Sequence, residues 1–249
     1  MNKKIPWTLI SGIFVLASFI SLPACSDDKQ GSPETKGKSD HIVHKEQIPV
    51  ISKVSAAEVL LKDVPETSYK KLSSPQPTRT GSKIEILEVF WYGCSHCYYF
   101  EPTIGKWLEE KADYIEFVRM PGVLGKNWLP HARAFYAAEK LGVLDKIHQP
   151  LFDAIHKEKR KIMDKKELKR FFVGQGVNGD DFDQAFHSKE VENSVRYAFT
   201  MGQHYELTGV PAVIINGKYG TSASMAGSYN KIIDVVNTLA AKEHARMKK

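Results

Sequence analysis

Two cysteines two residues apart, Cys94 and Cys97, sit where a strand-like run gives way to a helix-like one. Ile84-Glu85-Ile86-Leu87-Glu88-Val89-Phe90-Trp91 is rich in β-branched and aromatic residues, which suits a buried strand. Beyond the pair, Phe100, Ile104, Trp107 and Leu108 recur at helical spacing. Cys94 is therefore predicted near a helix N-terminus. Unpaired backbone N–H groups and the positive end of the helix dipole favour an anion there. A thiolate is such an anion, and it is the reactive form of cysteine.

A bare C-x-x-C permits three readings: half of a zinc site, a structural bridge, or a redox pair. Zinc needs two more ligands, usually a second C-x-x-C or paired histidines. The one other cysteine is Cys25, far upstream, and the nine histidines make no H-x-x-x-H pair. The redox reading is favoured, and no metal or other cofactor is expected. No nucleotide-binding glycine motif is present. The net charge of +6 includes Lys3 and Lys4 of a leader, and the remaining lysines are interleaved with acids. Without a basic stripe and interleaved aromatics, nucleic acid is not the expected partner.

The start of the chain reads as an export signal over residues 1–24. Met1-Asn2-Lys3-Lys4 is charged, Leu9 to Ile20 is mostly apolar, and small residues precede Cys25. Leu22-Pro23-Ala24-Cys25 resembles a bacterial lipobox, which implies a lipidated Cys25 and a periplasmic protein tethered to a membrane, preferably the outer one. Removing Cys25 from the thiol pool leaves one redox-competent pair, with no internal thiol to compete for the bridge. Residues 25–62 read as a lipidated N-terminus and polar tether. A flexible coil of about 20 residues reaches about 25 Å. Val54, Glu58 and Leu61 in this segment fit a short helix.

The body alternates between sheet and helix. Residues 67–72 are predicted as an edge strand, and Tyr114 to Met120 as a strand stopped by Pro121-Gly122. The β-α-β order around the cysteines implies parallel strands. Pro102 is placed to kink the intervening helix. From Trp128 to Leu207 the pattern is helical, with a capping-box start at Asp164-Lys165-Lys166-Glu167. Val210 to Ile215 is predicted as a strand containing Pro211, which demands an edge or a special geometry. Asn216-Gly217 signals a hairpin turn before Lys218-Tyr219, and Ile232, Ile233, Val236 and Leu239 mark a C-terminal helix.

With these parts in view, the chain from about Tyr69 to its last helix resembles the DsbA family of thiol:disulfide interchange proteins. The resemblance rests on Leu87-Glu88, Cys94-Ser95-His96-Cys97-Tyr98 with Phe100-Glu101, and Gly209-Val210-Pro211-Ala212 with Asn216-Gly217-Lys218-Tyr219. Leu141-Gly142-Val143 and Pro150-Leu151-Phe152 add to it. It implies an α/β fold of thioredoxin type with an inserted α-helical domain. Residues 63–125 and 208–249 would form the thioredoxin-like part, and 126–207 the insertion. The family's usual dipeptide between the cysteines is Pro-His; here it is Ser-His.

The resemblance also implies roles. Cys94 is the exposed nucleophile and Cys97 its buried partner in the disulfide. His96 would donate to the Cys94 thiolate, and Ser95 would shape the turn and, with Val210, bind substrate. Glu88 takes the place of the buried acid that relays protons to Cys97. That is at odds with the apolar face it shares with Ile86 and Phe90; Glu85 is expected to face solvent. Pro211 matches the cis-proline beside the active site, and Val210 would offer its backbone to a substrate chain. The expected activity is oxidation of thiols in exported, folding proteins, with a membrane quinone-linked reoxidase as second partner. Two alternatives remain: a disulfide isomerase or reductase made dimeric by Gln47 to Lys62, and a non-enzymatic metal-handling lipoprotein.

Overall fold

The structure is a computed structural model and describes residues 64–248. The leader, Cys25, the tether and the short helix expected near Val54 lie outside the described residues. Five strands form one sheet in the order β1-β5-β4-β2-β3. They are β1 (Lys70–Lys71), β2 (Ile84–Phe90), β3 (Ile115–Pro121), β4 (Ala212–Ile215) and β5 (Tyr219–Thr221). β2 pairs with β3 in parallel and with β4 antiparallel. The crossover between β2 and β3 is helix α1 (Ser95–Glu110), which runs through Pro102.

Every residue of β2 is buried. Ile84 and Ile86 pack with Phe100, Ile104 and Trp107 of α1 and with Ile232, Val236 and Leu239 of the C-terminal helix. Leu87 and Val89 pack the other way, into a cluster with Phe135, Phe152, Phe172 and Phe182. That cluster belongs to five helices between β3 and β4: α2 (Leu129–Lys140), α3 (Leu144–His156), α4 (Lys165–Gly174), α5 (Gly179–Phe186) and α6 (Lys189–His204). Two more follow the sheet, α7 (Ala223–Ala226) and α8 (Tyr229–Met247). With both faces of β2 covered, Glu85 does not face solvent as expected. It is 3% exposed and accepts from the Arg79 backbone N–H at 2.8 Å.

Local chemistry explains the boundaries. The expected edge strand over 67–72 shrinks to β1, because Glu66–Ser68 closes a 3-10 turn instead. Asp164 caps α4 by accepting from the Glu167 N–H at 3.0 Å. The Glu167 carboxylate turns to Arg170 instead of completing a reciprocal box. Pro211 stands just before β4 rather than within it, and has no N–H to give a ladder. Asn216 and Gly217 both take positive φ, 49° and 63°, as a type I′ hairpin turn requires. A Cβ on Gly217 would come 2.1 Å from the Gln76 carbonyl oxygen, so glycine is needed there twice over. No described helix is long and apolar enough to cross a membrane.

Candidate active site

The strand-to-helix junction puts Cys94 at the N-cap of α1 and Cys97 in its first turn. Both thiols are free; Cys94 is half-buried and Cys97 fully buried. The Cys94 thiol is pulled down to about 6, first by a hydrogen bond from the Cys97 thiol and then by the backbone N–H groups of Cys97 and His96. The charge of His96 adds a smaller pull, and partial burial opposes all of these. Burial and the neighbouring Cys94 push the Cys97 thiol far up. One sulfur is thus set to be a thiolate near neutral pH and the other to stay protonated.

The His96 ring makes no hydrogen bond to Cys94. Its imidazole is exposed, and its backbone carbonyl accepts from the Tyr229 hydroxyl at 3.0 Å. Ser95 is exposed beside it. The Cys94 thiol instead donates to the Val210 carbonyl at 3.4 Å. The Val210–Pro211 peptide bond is cis. A groove of about 300 Å³ opens there, lined by His96, Leu207, Val210, Pro211, Ala223 and Met225 among others. On the N-terminal side of the cysteines, Trp91 stacks on Trp128 at 4.5 Å. Gly93 lies so close to the Trp91 ring that a Cβ would come within 2.4 Å of it.

Beneath the cysteines runs a buried polar chain. Glu88 is fully buried and accepts from Arg119 Nε at 3.0 Å. Arg119 Nη2 donates to Glu101 of α1 at 2.8 Å. The other Glu101 oxygen meets His148 Nε2 of α3 at 3.2 Å, and His148 Nδ1 meets the Tyr92 hydroxyl at 3.0 Å. Burial, with help from the charge of Glu101, raises the Glu88 carboxyl well above its ordinary range, against the pull of Arg119. Burial likewise lowers the His148 imidazole. His156 of α3 contacts the Tyr92 carbonyl at 2.7 Å and stacks on Tyr98.

The acid on an apolar face is therefore explained by partners that the sequence reading missed: Arg119, Glu101, His148 and Tyr92. A signal existed for two of them. Arg119 is a lone cation in an apolar strand, and it stands opposite Glu88 in the parallel register. Glu101 lies four residues after Cys97, on the same helix face.

The chain matches known proteins over much of its length. Residues 111–231 match the family model of the DSBA-like thioredoxin domain. The thiol:disulfide interchange protein DsbA of Pseudomonas syringae pathovar tomato is 40% identical over 180 residues, covering 72% of this chain and 84% of that protein. The chain belongs to the DsbA family. The thiol:disulfide interchange protein DsbA of Pseudomonas aeruginosa is 38% identical over 181 residues, 73% of this chain and 86% of the relative. The crystal structure of Pseudomonas aeruginosa DsbA superposes with a TM-score of 0.69 at 38% identity, covering 73% of this chain and 95% of that one. The DsbA oxidoreductase of Xylella fastidiosa gives 0.69 at 30% identity, covering 74% and 99%. Like other DsbA proteins, the chain is a protein-disulfide oxidoreductase with a thioredoxin-like fold.

Proposed function

We propose that Cys94 and Cys97 are the redox centre of an exported dithiol oxidase, which gives its disulfide to folding proteins with free thiols. The observation that carries this reading is the asymmetry of the pair: a Cys94 thiol held at about 6 on a helix N-cap, beside a buried Cys97 held protonated. A low thiol pKa makes Cys94 the better leaving group and stabilises the reduced form, so the disulfide is oxidising.

In the oxidised protein a substrate thiolate attacks Cys94. The Cys94–Cys97 bond breaks, and Cys97 leaves as a thiolate that takes a proton from Glu88. A second substrate thiolate then attacks the substrate sulfur of the mixed disulfide. Cys94 leaves as the thiolate, a substrate disulfide is formed, and Glu88 regains a proton from solvent. Val210 and Pro211 hold the substrate chain beside Cys94 in β-type pairing. Ser95 shapes the turn, and His96 adds charge to the thiolate's surroundings. A membrane quinone-linked reoxidase, by family resemblance, returns the pair to the disulfide.

The proposal includes the placement of the protein. Residues 1–24 direct export, and Cys25 carries lipid that anchors the chain in the periplasm, with the outer membrane preferred. Residues 63–125 and 208–249 are the thioredoxin-like part, and 126–207 the helical insertion. Support for this division is the position of α2 to α6 between β3 and β4.

Two serine variants test the chemistry. Cys97→Ser should accumulate substrate adducts through Cys94 on mass spectrometry, and Cys94→Ser should lose turnover without forming any. Adducts absent from the first variant would reverse the order of attack. Intact mass of the membrane fraction tests the anchor; a soluble chain lacking Cys25 would remove it from the proposal.

A further inference from the structure

The buried chain beneath the cysteines holds two carboxyls and one guanidinium. Were Glu88 and Glu101 both ionised, Arg119 would leave one negative charge unbalanced in a site where burial makes that costly. One proton on the pair removes the imbalance, and hydrogen bonding decides where it goes. Glu101 faces two donors: Arg119 on one oxygen and His148 Nε2 on the other. Glu88 has Arg119 alone, and its Oε1 has no hydrogen-bond partner.

The tautomer of His148 follows from its neighbours. The Tyr92 hydroxyl is buried, and His148 Nδ1, at 3.0 Å, is its one hydrogen-bond partner among the described residues, so we assign its O–H as donor to Nδ1, which puts the ring proton on Nε2, facing Glu101. The other tautomer would leave the buried Tyr92 O–H without an acceptor. Phe90, Phe135 and Phe152 pack around the ring and keep it from turning to water.

We propose that His148 is a positioning residue, which holds Glu101 ionised and so keeps the shared proton on Glu88. It matters because Glu88 is the carboxyl whose charge acts on Cys97. The inference rests on the reading of Glu88 as proton donor to Cys97. In the first exchange step, the substrate–Cys94 bond forms and the Cys94–Cys97 bond breaks. The electron pair goes to Cys97 and the Glu88 proton follows it, leaving a carboxylate that Arg119 neutralises. With the proton on Glu101 instead, Cys97 would have to leave as a buried thiolate beside a charged Glu88. The titratable and charged groups facing this centre are Arg119, Glu101, Cys97 and Tyr92 around Glu88, and Glu101, Tyr92, Arg119 and Asp145 around His148.

The test is carboxyl titration by NMR in the oxidised protein labelled at glutamate side chains, with Glu88→Gln and Glu101→Gln for assignment. In the wild type, Glu101 should stay ionised across the range in which Glu88 titrates. His148→Phe keeps the ring's bulk among its aromatic neighbours but removes the donor. It should lower the Glu88 midpoint by about one pH unit, the tenfold equivalent of one charge-assisted hydrogen bond. His148→Gln, which can still donate, should keep the wild-type midpoint. A wild-type Glu101 that carries the proton would overturn the proposal, and needs no variant to fold. So would an unchanged Glu88 midpoint in His148→Phe. Reduction of the Glu88→Gln disulfide by dithiothreitol separates the two ideas. A wild-type rate there removes the relay reading but leaves the proton's placement standing on the titration.

Discussion

The thiol of Cys94 donates to the carbonyl oxygen of Val210 at 3.4 Å, joining residues 116 positions apart. The first βα turn of the sheet and the loop entering β4 thus meet at the reactive sulfur. The bond exists only while Cys94 carries a proton. As thiolate or disulfide, Cys94 has no S–H to give, and the Val210 carbonyl is free to accept a backbone N–H from a substrate strand. The disulfide and the thiolate forms therefore both leave this acceptor unoccupied by Cys94.

The potential of the pair should depend on pH in two regimes. Below about 6, reduction takes up two protons, because both thiols are protonated. Above that value Cys94 stays ionised, and reduction takes up one. For a two-electron couple the slope should therefore fall from about 59 to about 30 mV per pH unit at this break. Stability follows the same group. Its folded value lies below the usual thiol value of 9.0, so the stability it gives the reduced protein is complete above that value and is lost as pH falls through about 6. Glutathione equilibration and paired melts of the reduced and oxidised forms across this window check both. A single slope throughout would mean that Cys94 is not the ionising group.

His96→Ala should raise the Cys94 thiol and make the disulfide harder to reduce, because it removes a group that stabilises the reduced, ionised form. The effect should be modest. The ring gives no hydrogen bond to the sulfur, and its charge ranks behind the Cys97 thiol and two backbone N–H groups. A shift of less than about 30 mV towards negative potential is expected, smaller than a full charge-assisted hydrogen bond would give. Thiolate absorbance and glutathione equilibration measure the two halves. A larger shift would mean that the imidazole reaches the thiolate in solution.

The redox pair was legible because its setting is local. A β-rich run, two cysteines and a helical stripe follow one another, so the N-cap position of Cys94 can be read from neighbours alone. Glu88 was legible through the family resemblance, but strand alternation made it a contradiction. Its resolution lies 31 residues away at Arg119, and a further link runs from Glu101 to His148 across 47. Strand periodicity carries no information about such pairings. It also misplaced Glu85, because alternation marks a wet face only when one side of the sheet is open, and helices cover both sides of β2. Pro211 was legible through its neighbours Gly209 and Val210, but the point at which β4 begins was not.

Phe152→Ala should cost about 3–5 kcal/mol, the usual range for removing a buried phenylalanine. Phe152 is fully buried, with its ring centroid 5.0 Å from Tyr92 and 5.3 Å from His148. The loss falls where the helices between β3 and β4 meet the active-site turn, so the substitution should also loosen Tyr92. Denaturant unfolding gives the cost. A loss below about 1 kcal/mol would show that the site collapses around the smaller side chain.

Arg119→Met should destabilise the protein in a way that depends on pH. Arg119 is the guanidinium that holds both Glu88 and Glu101, and its own side chain is 21% exposed. Removing it leaves two buried carboxyls close together without a cation, and breaking a buried pair in this way costs about 3–5 kcal/mol. Methionine fills much of the same volume, so the loss reports charge more than packing. Without the guanidinium, both carboxyls are driven above their unfolded values by burial and mutual repulsion. A group raised in the folded state subtracts stability as pH climbs above its unfolded value. The variant should therefore be weakest at neutral and alkaline pH and recover as pH falls towards the ordinary glutamate value of 4.5. Adding Glu101→Gln to Arg119→Met should restore part of the loss at neutral pH, because it removes the carboxylate left without a cation. Unfolding curves of the single and double variants at several pH values measure this. A loss that is the same at every pH would mean that Arg119 stabilises the fold through packing, without changing how the two carboxyls titrate.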